Sequence, residues 1–154
     1  FFIEDPIRSE NPGSYHHIRN KINLPIAAGE QWASKWPFRE VIENELIDYA
    51  RIDLCIVGGL TEAMRVCHMA QDRGRLIVPH CWKTGIGIAA SAHMAAAIPN
   101  CPYIEYLPSE LCDSALRRDL VSEPLEMKDG IVKLPEKPGL GVELNIDALK
   151  TYSI

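Results

Sequence analysis

The sequence lacks the features that mark nucleic-acid-binding, membrane-spanning and disulfide-stabilised proteins. It has no run of basic residues and a net charge of −5, which argues against nucleic acid as a partner. It has no apolar stretch of about 18 residues, so we predict no transmembrane helix and no membrane partner. Its five cysteines form no CxxC pair and are odd in number, so we expect reduced thiols in a cytoplasmic protein.

The composition is that of an ordinary globular domain. Hydrophobic residues make up 47% of the chain and charged residues 24%, both near globular averages. A length of 154 residues is enough for about one domain. The chain opens with Phe1, inside the apolar run FFIEDP, and we interpret this start as that of a piece of a longer protein.

Ionisable residues recur at a nearly constant interval, each at the end of a short apolar run. They are Glu4, Glu30, Asp53, His80 and Glu105, separated by 26, 23, 27 and 25 residues. One strand, one helix and their loops together take about 30 residues in a (β/α) barrel. The interval therefore predicts successive strands near 1–4, 25–28, 50–54, 75–79 and 102–105. Because such barrels place functional residues at the carboxyl ends of their strands, we expect the five side chains to converge in one mouth.

Strands that alternate with helices predict an α/β fold with a parallel sheet, here about five βα units of a TIM-type barrel. Thr61 is a candidate cap for the third helix, and the fourth, about 84–98, is apolar on most sides. After Glu105 the pattern changes. A hairpin is predicted around Lys128-Asp129-Gly130, and a short final helix over 146–152 after Asn145. We therefore divide the chain into a partial barrel, 1–123, and a C-terminal hairpin and tail, 124–154.

Two carboxylates that end adjacent strands, Glu4 and Glu30, suit a hard divalent cation such as Mg²⁺, which prefers oxygen ligands. The alternative for Glu4 is a role as an ion-pair partner. Asp5 is a competing ligand. Because side chains alternate along a strand, we expect only one of Glu4 and Asp5 to face the mouth, and we assign Glu4.

Asp53 and His80 end neighbouring strands. A carboxylate beside an imidazole fixes its tautomer and stabilises its cationic form, which favours a general base near neutral pH. Glu105 completes the ring and is a candidate hydrogen-bond partner for a developing enolate, provided that its pKa is raised. The alternative for Glu105 is pairing with a lysine or arginine in the mouth.

Several large side chains follow the strand ends. They are Trp32, Trp82 and Lys83, and we interpret them as candidate substrate-binding residues. The alternative is that they only cover the rim of the barrel.

The ordered motifs resemble the enolase superfamily, in its mandelate racemase and muconate lactonizing branch. The resemblance is carried by FFIEDPI, IAAGEQWASKW, ARIDLCIVGGLTEA, VPHCWKTGIG, YIEY and PEKPGLGVELNIDAL. It implies that this chain is the C-terminal portion of the barrel. It also implies that Glu4 and Glu30 bind Mg²⁺, that Asp53 and His80 form a catalytic dyad, and that Glu105 hydrogen-bonds the enolate.

The resemblance further implies a reaction. FFIEDPI and GEQWASKW are most similar to galactonate-type dehydratases, so we expect a lyase that acts on a small sugar acid, in a full-length homo-oligomer. A racemase or cycloisomerase of the same superfamily and a non-catalytic fragment are the alternatives. The family's third metal ligand and its lysine motif are not in this chain. We therefore expect the 154 residues alone to be inactive, and the C-terminal tail to pack on a capping domain.

Overall fold

Four short parallel strands lie side by side in the order in which they occur along the chain. The computed structural model describes residues 1–81, 83–108, 110–112 and 114–153. The sheet consists of β1 (Ile3–Glu4), β2 (Ile26–Ala28), β3 (Tyr49–Ala50) and β4 (Leu76–Ile77). Glu4 pairs with Ala27, and Ala28 with Ala50, in parallel register. A sheet without strand reversals is typical of a (β/α) barrel, in agreement with the predicted fold class.

Helices connect the strands and cover one face of the sheet. A 3₁₀ turn over Pro12–Tyr15 leads into α1 (His16–Arg19), and it is followed by α2 (Lys35–Glu43), α3 (Leu54–Val57), α4 (Leu60–Asp72) and α5 (Gly85–Ala97). Pro37 lies in the first turn of α2, where its missing N–H has no partner to lose. The Thr84 hydroxyl accepts a hydrogen bond from the Gly87 N–H and so caps α5, which is buried on most sides, as predicted.

The C-terminal segment has the predicted hairpin and final helix. The hairpin pairs β5 (Met127–Lys128) with β6 (Ile131–Val132) in antiparallel register. Asp129 and Gly130 both have positive φ, at 52° and 75°, as a two-residue hairpin turn requires. A short α6 (Ala115–Arg118) precedes the hairpin and α7 (Ile146–Tyr152) follows it. Asn145 caps α7 by accepting from the N–H groups of Asp147 and Ala148.

The fifth predicted strand is not regular. Residues 102–105 form no regular ladder with β4: Glu105 N–H donates to Pro79 O at 3.4 Å, and just before the segment Asn100 O accepts from Ile77 N–H at 2.9 Å. Pro79 and Pro102 lack an N–H on the two facing segments, and proline removes hydrogen bonds from a ladder. The segment still brings Glu105 to the mouth.

The predicted cap of α4 is wrong. The cap position is Gly59, and Thr61 lies inside the first turn. Gly58 and Gly59 both have positive φ, at 115° and 84°, so the turn between α3 and α4 is completed before Thr61 is reached.

The core lies between the sheet and the helices. Its fully buried members include Tyr15 and Phe38 from the first two connections and Ile26, Ile47, Ile52 and Ile77 from the strands and their ends. α2 contributes Val41 and Ile42, and α4 contributes Val66 and Ala70.

In the described ranges, every helix is too short or too polar to cross a membrane.

We expect Gly29→Ala to destabilise the fold strongly. Gly29 has φ +127°, and an added Cβ would lie 2.4 Å from Phe38 Cε1 in the closed core. Overpacking of this kind costs about 1–3 kcal/mol, in addition to the backbone strain. The measurement is the free energy of unfolding in urea.

Gly74→Ala is the matched control, because Gly74 also has positive φ (+64°) but nothing lies within 4 Å of its added Cβ. It should lose only about 1–2 kcal/mol, from the left-handed backbone alone. Equal losses at the two positions would contradict the close packing of Phe38 against Gly29.

Candidate active site

Three carboxylates lie together where β1 and β2 end. One oxygen each from Glu4, Asp5 and Glu30 can be chosen so that all three lie within 4.8 Å of one another. Glu4 ends β1, and Glu30 follows β2 after Gly29. Like charges at this separation repel, and oxygen donors of this kind fit a hard divalent cation. We call Glu4, Asp5 and Glu30 the acidic cluster.

Glu4 and Asp5 both contribute to the acidic cluster, so the prediction that only one of them faces the mouth is wrong. Asp5 has φ +39°, which ends the extended conformation and with it the alternation of side chains. The Tyr15 hydroxyl donates to Asp5 Oδ1 at 3.4 Å. Burial raises the pKa of Asp5, and the charges of Glu30 and Glu4 raise it further. Asp5 therefore behaves as a third member of the cluster.

His80 and Asp53 form a buried pair beside this cluster. His80 Nδ1 lies 2.9 Å from Asp53 Oδ2, and each residue is 4% exposed. Asp53 caps α3, because its Oδ1 accepts from the Cys55 N–H at 2.7 Å. With Nδ1 held by Asp53, the other ring nitrogen, Nε2, faces the carboxylates of Glu30 at 3.7 Å and Glu105 at 4.0 Å.

The pair changes the proton affinity of both partners. Burial lowers the pKa of His80, but the Asp53 hydrogen bond and the charges of Glu30 and Glu105 outweigh it, and the net shift is upward. Burial raises the pKa of Asp53, but hydrogen bonds from His80 and Cys55 and the charge of Lys83 outweigh it, and the net shift is downward. A histidine with raised pKa next to a fixed carboxylate is arranged to accept a proton.

Arg51 is the residue of this site that the sequence analysis missed. It is 2% exposed, and its Nε donates to Glu4 Oε1 at 2.6 Å. Its Nη2 lies 3.1 Å from Glu105 Oε2, which also accepts from the Cys81 N–H at 3.2 Å. The ion pairs that were the alternatives for Glu4 and Glu105 are therefore present, and Arg51 is the partner in both. One feature could have revealed Arg51: it stands two residues before Asp53, and alternate residues share a face.

The candidate substrate-binding residues have different environments. Lys83 is half exposed, and its Nζ lies 3.4 Å from Asp53 Oδ2. Trp32 is 4% exposed, packs edge-on against Tyr15 and Phe38, and donates its indole N–H to Ser9 O at 2.7 Å. Trp32 therefore packs in the core, which agrees better with the alternative of covering the barrel rim than with substrate binding. Trp82 lies outside the described residues.

Comparison with known proteins identifies the family. The family described as Enolase C-terminal domain-like matches residues 1–148. The chain belongs to the enolase superfamily. This confirms the resemblance, and the fold agrees.

A solved member of the superfamily from Salmonella Typhimurium is 31% identical with a TM-score of 0.88, over 97% of this chain and 38% of that one. The 3,6-anhydro-D-galactonate cycloisomerase of Zobellia galactanivorans is 31% identical with a TM-score of 0.85, over 98% and 42%.

The relatives are acid-sugar dehydratases and cycloisomerases. D-galactarolactone cycloisomerase of Agrobacterium fabrum is 32% identical over 98% of this chain and 41% of the relative. D-xylonate dehydratase of Haloferax volcanii is 33% identical over 100% of this chain and 37% of the relative. This enolase-superfamily chain thus spans about two fifths of the length of the curated relatives it matches.

We expect the His80 ring to titrate above its ordinary pKa of about 6.5 when no divalent ion is added. Asp53→Asn removes the carboxylate that favours the charged ring, so the pKa of His80 should fall. Because the folded pKa is raised, this pair stabilises the fold fully below the unfolded pKa, and the contribution is lost as the pH rises through the folded pKa.

The measurement is an NMR titration of the histidine ring protons in the presence of a chelator, with exposed His68 as the internal reference. A pKa of His80 that is the same in the wild type and in Asp53→Asn would show that the contact does not govern the proton.

Proposed function

We propose that this chain forms part of the active site of a Mg²⁺-dependent acid-sugar dehydratase, a carbon–oxygen lyase. The observation that carries the proposal is the position of His80 Nε2, 3.7 Å from Glu30 Oε2, which puts a base next to the acidic cluster. Membership of the enolase superfamily and the dehydratases among the relatives support the same reaction.

Each residue has a role in this proposal. Glu4, Glu30 and Asp5 would hold the Mg²⁺ ion, which supplies positive charge to a substrate carboxylate when bound. His80 Nε2 takes the proton from the carbon next to that carboxylate, and the electron pair of the C–H bond passes into an enolate. Asp53 orients the ring and stabilises its charged form, and Glu105 lies beside the reacting group.

Dehydration then requires the loss of the β-hydroxyl. The enolate electron pair forms a C=C bond as the β C–O bond breaks, and the oxygen takes a proton and leaves as water. The protonated His80 ring is one proton donor present in this chain. Lys83 and the exposed edge of the mouth are the positions at which the rest of a sugar acid would be bound.

A cycloisomerase is the second candidate. Two cycloisomerases occur among the relatives and structures, and their names refer to galactarolactone and anhydro-galactonate. A racemase would share the same enolate step. Product analysis separates the reactions, because only a dehydratase forms a 2-keto-3-deoxy acid with release of water.

The remaining expectations belong to the same proposal. We infer a cytoplasmic setting, and the five free thiols are consistent with it. We also infer that residues 124–154 pack on a capping domain, and that the active protein is a homo-oligomer. These assignments rest on the enolase-superfamily resemblance.

In the active enzyme we expect His80→Asn to abolish exchange of the substrate α-proton. Loss of a general base typically lowers the rate by about 10²–10⁴. Asp53→Asn should have an effect of similar direction, because the ring loses the partner that orients it. The measurement is deuterium incorporation from D₂O, followed by NMR.

His68→Asn is the matched control, since His68 is exposed in the second half of α4, which leads to the amino end of β4. It should retain wild-type exchange. Wild-type exchange in His80→Asn would exclude His80 as the base.

We expect the 154 residues alone to bind Mg²⁺ weakly and to show no dehydration. Four strands cannot close an eight-stranded barrel, and Phe1, just before the edge strand β1, is exposed. Calorimetry with Mg²⁺, a panel of sugar acids and light scattering for self-association test this expectation. Turnover by a monomeric chain would contradict it.

A further inference from the structure

Arg51 connects two carboxylates that come from opposite sides of the described sheet. Glu4 ends β1, the first strand, and Glu105 lies on the segment beyond β4. The Arg51 guanidinium reaches both, through Nε to Glu4 at 2.6 Å and through Nη2 to Glu105 at 3.1 Å. Its Nη1 donates to Val78 O at 3.2 Å. The guanidinium thus spans the mouth and uses all three of its nitrogens.

The environment fixes this side chain. The Arg51 side chain is 3% exposed, whereas that of Glu4 is 36% and that of Glu105 is 25% exposed. Its own backbone is held by a hydrogen bond from Arg51 N–H to Ala28 O at 2.8 Å. A buried guanidinium is costly unless every contact is made, so the two partly exposed carboxylates are held by a rigid partner.

We propose that Arg51 is a positioning residue of the metal site: it fixes the Glu4 carboxylate by one oxygen so that Glu4 stays beside Asp5 and Glu30. The inference rests on the proposed metal role of the acidic cluster. Metal-binding carboxylates are commonly hydrogen-bonded by outer partners, whose loss costs about 10–100-fold in metal affinity or activity. In the absence of Arg51, Glu4 would be free to turn toward solvent.

Positioning of Glu4 by Arg51 would strengthen metal binding, whereas the positive charge of Arg51 would weaken it, because it repels a divalent cation. The two effects predict results of opposite sign. If positioning dominates, removal of the guanidinium weakens metal binding, and a lysine does not restore it, because an ammonium cannot reproduce the planar array of donors. If repulsion dominates, Arg51→Met tightens binding and Arg51→Lys leaves it unchanged.

The test is the Mn²⁺ affinity of the active enzyme that contains this chain, measured from the loss of the free-ion electron paramagnetic resonance signal. Arg51→Met and Arg51→Lys should each raise the Kd by about 10-fold. In a Glu4→Gln background the same changes should alter the Kd less than about 3-fold, because Arg51 acts through Glu4. Arg51→Lys keeps the test usable if Arg51→Met fails to fold.

Arg75→Met is the matched control. Arg75 also bridges two carboxylates, Glu45 at 2.9 Å and Asp48 at 3.3 Å, but it precedes β4 at the amino end of the sheet. It should lower the unfolding temperature and leave the Kd for Mn²⁺ unchanged. A purely structural role for Arg51 predicts that Arg75→Met and Arg51→Met weaken Mn²⁺ binding equally, and that result would overturn the inference.

The remaining outcomes are also decisive. The positioning role is overturned, and the metal site retained, if Arg51→Met binds Mn²⁺ as tightly as the wild type or more tightly. It is also overturned if Arg51→Met raises the Kd in the Glu4→Gln background as much as it does in the wild type. If Glu30→Gln has the same Kd for Mn²⁺ as the wild type, the acidic cluster is not the metal site. The proposed role of Arg51 is then also wrong.

Discussion

The repulsion among the acidic side chains of the mouth is the constraint on which the rest of the site depends. Glu4, Asp5 and Glu30 lie within 4.8 Å of one another, and Glu105 lies across from them. Carboxylates this close relieve their repulsion by raising the pKa of one member, as at Asp5, or by pairing with cations. Within the described residues, Arg51 pairs with Glu4 and Glu105, and His80 lies near Glu30 and Glu105. The cluster that contains Asp5 and Glu30 is the part best suited to a divalent ion.

The charges also fix the orientation of His80, the proposed base. Asp53 is hydrogen-bonded to His80 Nδ1 and is itself held by the Cys55 N–H in the first turn of α3. His80 Nε2 therefore faces the acidic cluster. Lys83 reaches Asp53 from the exposed side. His80 and Lys83 thus both contact Asp53, and His80 also faces Glu30 of the acidic cluster. In the proposed reaction, the substrate carboxylate would bind at the acidic cluster and its adjacent C–H would face His80 Nε2.

Much of this arrangement could be predicted from the spacing of residues. The recurring interval placed Glu30, Asp53 and His80 after successive strands, because a parallel sheet aligns the carboxyl ends of its strands. The strand predicted near 102–105 is irregular, because Pro79 and Pro102 on the two facing segments remove hydrogen bonds, and the interval between motifs carries no information on such losses. Asp5 escaped prediction because a positive φ overrides alternation, and Arg51 because its partners come from distant segments.

The described sheet leaves one edge of β1 without a paired strand, and the exposed ring of Phe1 directly precedes this strand. Such an edge can pair with further strands. The chain spans about two fifths of the length of its curated relatives. In a closed barrel, a further strand would pair with this edge of β1. The mouth residues nevertheless lie on elements that this chain itself contains, which allows the acidic cluster to be examined directly.

The most direct test of the central claim is anomalous diffraction from crystals soaked with Mn²⁺. The account predicts a peak bounded by carboxylate oxygens of Glu4 and Glu30, with metal–oxygen distances of about 2.0–2.3 Å, as expected for a hard divalent ion. A mouth without anomalous density, or a peak only at surface carboxylates such as Glu123, would contradict it.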